Sequence, residues 1–439
     1  ELFGVAIGDQ NPTHYNLESA EKLTSSRRLL APSMWGGSLL SALFGNELPG
    51  PGAVYLGQTI DFVEPVRVGD TIEVSVCVVD KRPPNVVVMD FLARNQTGQT
   101  VFQGQARVAA PSVKLLEPRV ELQEASLRRR HHVFEDLIAR CGAVEPISVA
   151  VCHPCDAVSL EGPVEAARLN LIRPILIGPE AKILALAKEH GLDLDGMRII
   201  NTAHSHESAE KAVALCRAGE AEALMKGSLH TDEMMHEVAS RERGLRTSRR
   251  ISHVFVMDVP TYPRTLLITD AAVNIYPTLE DKADILQNAI ELAHVLGVPE
   301  PRVAILSAVE TVYHNITSTI EAAALCKMAD RGQIKGALLD GPLAFDNAIS
   351  EEAARIKKIK SPVAGRADIL LVPDLEAGNM LAKQLSYLAD ADTAGIVLGA
   401  RVPIVLTSRA DSAKGRLASC AVAVLFAQAR RAAAHLVAE

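Results

Sequence analysis

The alternation of apolar and polar residues predicts a series of β-strands in the first quarter of the chain. The predicted strands are Val54–Phe62, Thr71–Asp80, Val86–Arg94 and Gln99–Val108. From Ile72 to Val78 every second residue is aliphatic, so these side chains share one face of a strand. A helical stretch from about Met34 to Leu48 precedes the strands. This part of the chain is therefore predicted to be an α+β unit.

The pattern changes after residue 129, where short aliphatic runs alternate with helical stretches. The runs are Ile147–Val151, Pro174–Ile177, Met197–Ile200, Ala223–Met225, Ile251–Met257, Thr265–Ile268, Arg302–Leu306, Gly336–Leu339, Ile369–Val372, Gly395–Leu398 and Ile404–Leu406. The clearest helix, Leu279–Leu296, has Thr278 as its N-cap and Gly297 beyond its end. We expect an α/β architecture with mostly parallel sheets and two lobes, 129–265 plus 402–439 and 266–401, with a cleft between them.

The segment Ala110–Ser126 lacks a clear period and contains two prolines, which indicates a linker. The predicted domains are residues 1–111 and 129–439, joined by residues 112–128. Because the chain begins without Met shortly before its first motif, we expect that a small N-terminal element has been trimmed.

Composition and charge exclude several classes of partner. A net charge of −8, from 45 basic and 53 acidic residues, disfavours a nucleic-acid role. No apolar run approaches the length that crosses a bilayer, so no membrane partner is expected. Seven scattered cysteines without a secretory pattern predict a cytoplasmic protein. No close His/Cys/Asp cluster suggests a metal, and no phosphate-binding glycine motif suggests a nucleotide.

The first candidate for chemistry is the segment Gly8–His14, which contains Asp9 and His14 around a proline. A carboxylate and an imidazole at this spacing can hold one water, with one group accepting a proton while the other delivers a proton to carbon. The alternative is that the pair only braces a loop, and spacing alone does not decide between the two.

Three motifs in this part resemble those of the hotdog-fold (R)-specific enoyl-CoA hydratases, the MaoC-like family. They are Gly8–His14, Leu48–Gln58 and Pro65–Asp70. The resemblance implies a hotdog domain that adds water to a trans-2-enoyl-CoA, with Asp9 and His14 as the acid/base pair and Asn11 supporting them. The family usually has a glycine at the start of the hotdog helix, where its N–H polarises the thioester carbonyl. Here that position is Ser33, whose side chain can crowd the thioester.

Three short strings near the C-terminus are the second candidate for chemistry. They are Ser361–Gly365, Pro373–Asn379 and Thr407–Ser412, and each follows or flanks an aliphatic run. Because the carboxyl ends of parallel strands form the ligand crevice of open α/β sheets, we expect these strings to line one site. There Gly378 would let a backbone approach an anion, while Asn379, Ser408 and Arg409 would donate hydrogen bonds.

Two basic features complete this constellation, which has donors but no built-in nucleophile. They are Lys226 and the run Arg241–Arg250, whose arginines suit a planar anion such as phosphate. A site of this kind accelerates a reaction between two bound substrates by positioning them and stabilising a negative carbonyl oxygen. Taken singly, each motif also fits a strand-to-helix turn, a cap or a solvated helix face.

Six ordered motifs together resemble the phosphate acetyl/butyryltransferases. They are Lys226–Thr231, Leu267–Asn274, Asp340–Asp346, Ser361–Gly365, Pro373–Asn379 and Thr407–Ser412. The resemblance implies an isocitrate-dehydrogenase-like fold and the reaction of acyl-CoA with phosphate to give acyl phosphate and CoA. No permanently bound cofactor is implied, since the CoA thioester and phosphate are substrates.

The resemblance also implies roles for individual residues. Ser408 and Arg409 would contact the acyl phosphate and the developing oxyanion, in one pocket with Gly378 and Asn379. The phosphate-binding arginine aligns best with Arg243 and next best with Arg246. The family places an aspartate slightly beyond the Ser-Arg pair to deprotonate the CoA thiol, but an ungapped match gives none here. Asp411 is the available candidate, and a helix N-cap is its alternative role.

The sequence therefore predicts a cytoplasmic enzyme with an N-terminal enoyl-CoA hydratase and a C-terminal phosphate acetyl- or butyryltransferase. Both families dimerise, so a homo-oligomer is expected. Two alternatives stay open. The acyltransferase-like domain can be a CoA-thioester sensor without catalysis, or only one of the two sites can be active, with Ser33 weakening the hydratase.

Overall fold

The computed structural model describes residues 2–113, 132–406 and 412–438. The chain forms two compact units, Glu1–Arg128 and Arg129–Glu439, and each has its own hydrophobic core. Of the helices in these described ranges, none is long and apolar enough to cross a membrane.

The first unit consists of short helices followed by a four-stranded antiparallel sheet. Its helices are α1 (Leu2–Ile7), α2 (Leu17–Leu23) and α3 (Ser33–Asn46), with a 3₁₀ turn at Pro12–His14. Its strands are β1 (Val54–Phe62), β2 (Ile72–Arg82), β3 (Val86–Asn95) and β4 (Thr100–Ala109), in the order β1-β4-β3-β2. The predicted long helix and all the predicted strands are confirmed, with small shifts at their ends.

The long helix α3 lies at the centre of the core of this unit. Its Leu40 and Phe44 are buried in one cluster with Phe91 and Phe102 of the sheet. Gly36 permits this close packing, because a Cβ at that position would lie 2.5 Å from the Phe102 ring. One long helix packed on an antiparallel sheet is the predicted hotdog arrangement, which is confirmed.

The second unit contains one sheet of eleven strands. The strands are β5 (Ile147–Cys152), β6 (Ile172–Gly178), β7 (Arg198–Asn201), β8 (Ala223–Lys226), β9 (Ser252–Asp258), β10 (Leu266–Thr269), β11 (Arg302–Leu306), β12 (Leu338–Leu343), β13 (Ile369–Leu371), β14 (Asp392–Leu398) and β15 (Ile404–Val405). Every predicted run coincides with a strand. The prediction at Gly336–Leu339 stopped too early, because the Gly341-Pro342 pair within β12 has the composition of a turn.

Helices connect most of these strands. They are α4 (Val133–Cys141), α5 (Ala157–Arg168), α6 (Glu180–His190), α7 (Ser205–Ala218), α8 (Thr231–Ala239), α9 (Leu279–Val295), α10 (Thr317–Asp330), α11 (Phe345–Ile349), α12 (Glu351–Ile356), α13 (Leu375–Leu388) and α14 (Ala413–Ala438). The predicted start of α9 is confirmed, since Thr278 and Asp281 form a reciprocal capping box.

The strand order explains how this sheet is organised. The order is β12-β11-β13-β10-β9-β14-β15-β8-β5-β6-β7. The pairs β10–β9, β9–β14 and β14–β15 are antiparallel, and the other neighbours are parallel. The strands β12-β11-β13-β10 form one parallel block, and the strands β15-β8-β5-β6-β7 form another. Because three reversals separate the two blocks, they run in opposite directions. The sheet is mostly parallel, as predicted.

This topology corrects the expectation that the C-terminal strings follow strands of one direction. Pro373–Asn379 follows β13 in one block, whereas Thr407–Ser412 follows β15 in the other. The proposed division into two lobes is not confirmed either. One continuous sheet crosses the expected lobe boundary, with β14 paired both to β9 and to β15.

A single register across the middle of the sheet brings the two blocks together. Thr269, the last residue of β10, pairs with Val254 of β9, and Val254 also pairs with Ile396 of β14. Ile396 pairs with Val405 of β15, which pairs with Met225 of β8. Strands of both blocks therefore end at the same row of paired residues across the sheet, to within one residue. The central strands β9 and β14 run past that level and form a shared floor.

Candidate active site

A cavity of about 700 Å³ lies over the central strands of the second unit. Its floor includes His253 and Phe255 of β9 and Thr393 of β14. Helix α13 forms one wall, and the end of β8 with the start of α8 forms another. The wall residues include Lys226, His230, Thr231, Asn379, Lys383, Ser386 and Tyr387. We call this cavity the cleft.

The backbone that follows β8 holds Lys226 at the edge of the cleft. Gly227 donates its N–H to the Cys152 carbonyl at 2.8 Å. A Cβ on Gly227 would lie only 2.4 Å from that oxygen, so a glycine is needed for the approach. Ser228 donates its N–H to the His153 carbonyl at 2.9 Å. This turn is therefore anchored to the end of β5. Lys226, which immediately precedes the turn, is half-buried and lines the cleft.

Asn379 is placed by α13 and lines the cleft. Its side-chain amide donates to the Ala271 carbonyl at 3.2 Å. Ala271 belongs to the loop after β10, which Asp270 organises by accepting hydrogen bonds from the N–H groups of Ala272 and Val273. Burial raises the pKa of Asp270, while these hydrogen bonds oppose the rise. The loop and the helix thus fix one another.

Gly378 has a different role from the expected approach to an anion. It is buried inside α13. A Cβ there would lie 2.7 Å from Cγ2 of Val372 and 2.9 Å from Cβ of Ala271. The glycine is therefore required for packing α13 against the sheet, and only its neighbour Asn379 reaches the cleft.

Ser408, Arg409 and Asp411 lie outside the described residues. The residues that flank this segment, Leu406 and Ser412, both line the cleft. The Ser412 hydroxyl accepts a hydrogen bond from the N–H of Gly415 at 3.0 Å, which is the N-cap pattern for α14. The cap that was considered for Asp411 is thus supplied by Ser412.

The structure does not bring the two predicted phosphate-binding arginines to the cleft. Nη1 of Arg243 lies 2.6 Å from Oε1 of Glu210, in a separate surface hollow beside α7. Arg246 is exposed, and its backbone forms an isolated bridge with Ala400. Both arginines were assigned by their alignment with the family motif, which carries no information about contacts with distant residues such as Glu210 and Ala400.

The string Ser361–Gly365 is also a turn and does not line the cleft. The Ser361 hydroxyl accepts hydrogen bonds from the N–H groups of Val363 and Ala364, each at 3.0 Å. Gly365 has φ +79° and packs so closely that a Cβ would lie 2.5 Å from Cα of Glu351. This motif shapes the backbone next to β13.

His253 is the site residue that sequence reasoning missed. It lies in β9, is 1% exposed and lines the cleft. Burial lowers its pKa to about 3, so the ring is neutral at physiological pH. The sequence does contain an indication of this residue, since His253 is a polar residue inside the mostly aliphatic run Ile251–Met257. Burying a polar ring in such a strand costs free energy unless the ring has a partner.

In the first unit, Asp9 and His14 lie together as predicted. Oδ2 of Asp9 is 3.4 Å from Nε2 of His14. The other ring nitrogen of His14 lies 2.9 Å from the Leu30 carbonyl, which orients the imidazole. The Tyr15 hydroxyl donates to the Asp9 carbonyl at 2.7 Å and fixes the backbone there.

The supporting residues of this pair also have defined positions. Asn11 donates its N–H to Oδ1 of Asp9 at 2.9 Å, and its side chain caps the 3₁₀ turn by accepting from the N–H of Thr13. Ser33 is the first residue of α3 and is exposed. Within the described ranges, no group of His, Cys, Asp or Glu residues is arranged to hold a metal ion.

Comparison with known proteins identifies both units. The model of the phosphate acetyl/butaryl transferase family matches residues 202–424, and the model of the MaoC like domain matches residues 1–92. A phosphate acetyltransferase of Rhizobium meliloti is 67% identical over 300 residues, which cover 68% of this chain and 95% of that protein. A phosphate butyryltransferase of Clostridium acetobutylicum is 41% identical over 67% of this chain and 98% of that protein.

A solved structure is similar to the second unit as well. The crystal structure of a branched-chain phosphotransacylase from Enterococcus faecalis V583 has a TM-score of 0.56 and 31% sequence identity, and covers 64% of this chain and 99% of that chain. The chain therefore belongs to the phosphate acetyl/butaryl transferase family. It is a phosphate acyltransferase with an N-terminal MaoC-like domain.

Proposed function

We propose that the cleft holds a short-chain acyl-CoA and phosphate together and transfers the acyl group from sulfur to phosphate. A phosphate oxygen adds to the carbonyl carbon, the C–S bond breaks, and CoA leaves as acyl phosphate forms. Holding both reactants in one site replaces a bimolecular encounter by a positioned reaction. No covalent intermediate on the protein is needed.

One observation carries this proposal. Leu406 and Ser412 both line the cleft, and the segment between them contains Ser408 and Arg409. Lys226 and Asn379 line the same cleft from two other elements. Lys226, Asn379 and Ser412 come from three of the motifs that were expected to act together, and they line one cavity although the strands that precede them do not all run in one direction.

Each of these residues has a distinct role in the proposal. Arg409 binds phosphate through its planar set of N–H donors, and Lys226 adds a second positive charge. The Ser408 hydroxyl donates to the carbonyl oxygen as it becomes negative. Asn379 fixes the wall opposite, since its amide already joins α13 to the loop after β10. Arg243 is not part of the proposal, because its guanidinium lies at Glu210 in another hollow.

The reverse reaction requires a proton acceptor for the CoA thiol. We propose Asp411 for this role, since it immediately precedes a residue that lines the cleft. The N-cap role that competed for Asp411 is filled by Ser412. Asp411→Asn is expected to slow attack by the thiol while leaving α14 capped.

The acyl group is proposed to be acetyl or butyryl. The relatives include a phosphate acetyltransferase and a phosphate butyryltransferase. We further propose a cytoplasmic homo-oligomer, because both predicted domain families dimerise. Neither proposal changes the chemistry assigned to the cleft.

A second activity is proposed for the first unit, the hydration of a trans-2-enoyl-CoA. The observation in its favour is the Asp9–His14 pair at 3.4 Å, in which each group has its own orienting contact. In this reaction water gives its hydroxyl to one alkene carbon and a proton is delivered to the other. The exposed Ser33 at the start of α3 is the feature expected to reduce this activity.

The acyltransferase proposal is tested by measuring thiol release from acetyl-, butyryl- and longer acyl-CoA with and without phosphate, on the full chain. Release that depends on phosphate is expected for the short acyl groups. Binding of the thioester without phosphate-dependent release would instead identify a sensor. Lys211→Ala, at a partly exposed lysine of α7 paired with Glu207, is the control that is expected to leave release unchanged.

A further inference from the structure

His253 lies on the floor of the cleft, and none of the roles above uses it. Its side chain is fully buried in the central strand β9. The imidazole packs edge-on against Phe255, two residues along the same face, with ring centroids 4.3 Å apart. The floor beneath the reacting groups therefore carries one polar ring.

Close packing surrounds this ring, and one of its two nitrogens lacks a hydrogen bond to any residue that the structure describes. Nδ1 is buried and has no hydrogen-bond partner among the described residues. Buried polar atoms almost always have partners, so an exception calls for an explanation. A histidine whose role was only to brace the sheet would be expected to use its ring nitrogens within the protein.

The neighbouring strand makes room for the ring. Gly395 of β14 pairs with Phe255, and a Cβ on Gly395 would lie 2.9 Å from Nε2 of His253. The same Cβ would lie 3.3 Å from the Leu406 carbonyl oxygen. The imidazole thus occupies space left by a glycine, beside the residue that leads into the segment containing Ser408 and Arg409.

The charge state of the ring decides what it can do. A neutral imidazole offers one N–H donor and one acceptor. Because burial lowers the pKa of His253 to about 3, the ring is a poor base for a thiol of ordinary pKa, about 8.5. A neutral imidazole can still polarise a carbonyl group by donating its N–H without losing the proton.

We propose that His253 is a further catalytic residue of acyl transfer, donating a ring N–H to the thioester carbonyl oxygen as negative charge develops there. The inference rests on the proposed acyltransferase function of the cleft. His253 keeps its proton throughout. The phosphate oxygen forms the new bond to carbon, and the electron pair of the C–S bond leaves with CoA.

The test compares His253→Phe with wild type in the full chain, by phosphate-dependent CoA release. Phenylalanine keeps a planar ring next to Phe255 but removes both nitrogens. We expect kcat to fall about 100-fold, the effect of removing one oxyanion donor, while KM for acyl-CoA and phosphate stays within about threefold. The unfolding midpoint at pH 7 is expected to stay at or above the wild-type value.

Two amide variants provide a measurement that would not change if His253 had only a structural role. Asparagine at position 253 places an N–H donor near Nδ1, and glutamine places one near Nε2. We expect one of His253→Asn and His253→Gln to recover at least about tenfold of the lost kcat, which also identifies the donating nitrogen. His190→Phe, a partly exposed histidine on α6 near Glu161, is the matched control and is expected to behave as wild type.

The outcomes separate this inference from the function on which it rests. If wild type shows no phosphate-dependent CoA release, the proposed function itself is wrong. If wild type is active and His253→Phe keeps its kcat, only the role of His253 is wrong. A loss in His253→Phe that neither amide variant relieves would also overturn it.

Discussion

The side-chain amide of Asn379 donates to the carbonyl of Ala271 at 3.2 Å and joins α13 to the loop after β10. Immediately beside it, Gly378 lies close enough to Ala271 that a Cβ would be 2.9 Å from its Cβ. The loop is held in turn by the buried carboxylate of Asp270. One wall of the cleft is therefore positioned by close packing of small residues.

Gly378→Ala is expected to destabilise the second unit and move this wall. The added methyl group would meet Val372 and Ala271, neither of which can rotate away cheaply, at a cost of about 1–3 kcal/mol. Denaturant unfolding together with kcat/KM for acyl transfer measures both effects. Gly162→Ala in α5, whose Cβ would meet nothing nearer than 3.6 Å, is the control. Equal stability of the two variants would contradict the packing role.

Lys226→Ala is expected to weaken phosphate binding. A charge-assisted hydrogen bond contributes about 1.5–3 kcal/mol, so the KM for phosphate should rise roughly 10- to 100-fold while the unfolding midpoint changes little. Initial rates of CoA release at varied phosphate concentration measure the change. An unaltered KM for phosphate would remove Lys226 from the site.

The buried histidine predicts a dependence of stability on pH. Burial lowers the pKa of His253 to about 3, whereas the unfolded value is about 6.5. Between these values the unfolded chain binds a proton that the folded chain does not, so the free energy of unfolding falls as pH falls through this window. In His253→Phe no titrating group remains at this position, so this contribution to the pH dependence of the free energy of unfolding is lost. Relative to wild type, its free energy of unfolding should improve by about 2 kcal/mol between pH 7 and pH 5.

Denaturant titrations of both proteins at the two pH values provide the measurement. Comparing the difference between variant and wild type cancels the titration of the other groups. A difference that does not change with pH would mean that His253 is protonated, or solvated, in the folded protein.

Asp9→Asn is expected to abolish hydration of a short enoyl-CoA and to leave acyl transfer unchanged. The substitution removes the charge while keeping the shape of the side chain, so the acid/base partner of His14 is lost. Loss of enoyl-thioester absorbance and CoA release are followed on the same sample. Asp61→Asn, on an exposed position of β1, is the control. Hydration that persists in Asp9→Asn would show that the pair only braces its loop.

Arg243→Ala is expected to keep wild-type acyl transfer, because its guanidinium is engaged with Glu210 away from the cleft. Rate measurements at saturating and at low phosphate are sufficient. A rise in the KM for phosphate would restore Arg243 to the site and contradict its placement in the separate hollow.

The predictable parts of this protein are those set by local pattern. The aliphatic runs, the alternation from Ile72 to Val78 and the capping signal at Thr278 act within a few residues, so the elements they predicted are present. Long-range pairing was not predictable in the same way. The three antiparallel pairings around β9 and β14 reverse half of the sheet, and no short motif encodes such a reversal.

The same limit applies to the site. Lys226 and Asn379 were named as candidates because recognisable motifs surround them, and both line the cleft. His253 was missed because the glycine that makes room for it, Gly395, is far from it in sequence. Gly378 was assigned to the ligand rather than to packing, since its close neighbour Ala271 is equally distant along the chain.

The most direct measurement is the formation of acyl phosphate by the full chain from butyryl-CoA or acetyl-CoA and inorganic phosphate, quantified beside the CoA released. We expect the two products to appear in equal amounts, and Arg409→Ala to suppress both by at least about 100-fold without unfolding the protein. Acyl phosphate formed at an undiminished rate by Arg409→Ala, or CoA released by wild type without any acyl phosphate, would contradict transfer to phosphate in this cleft.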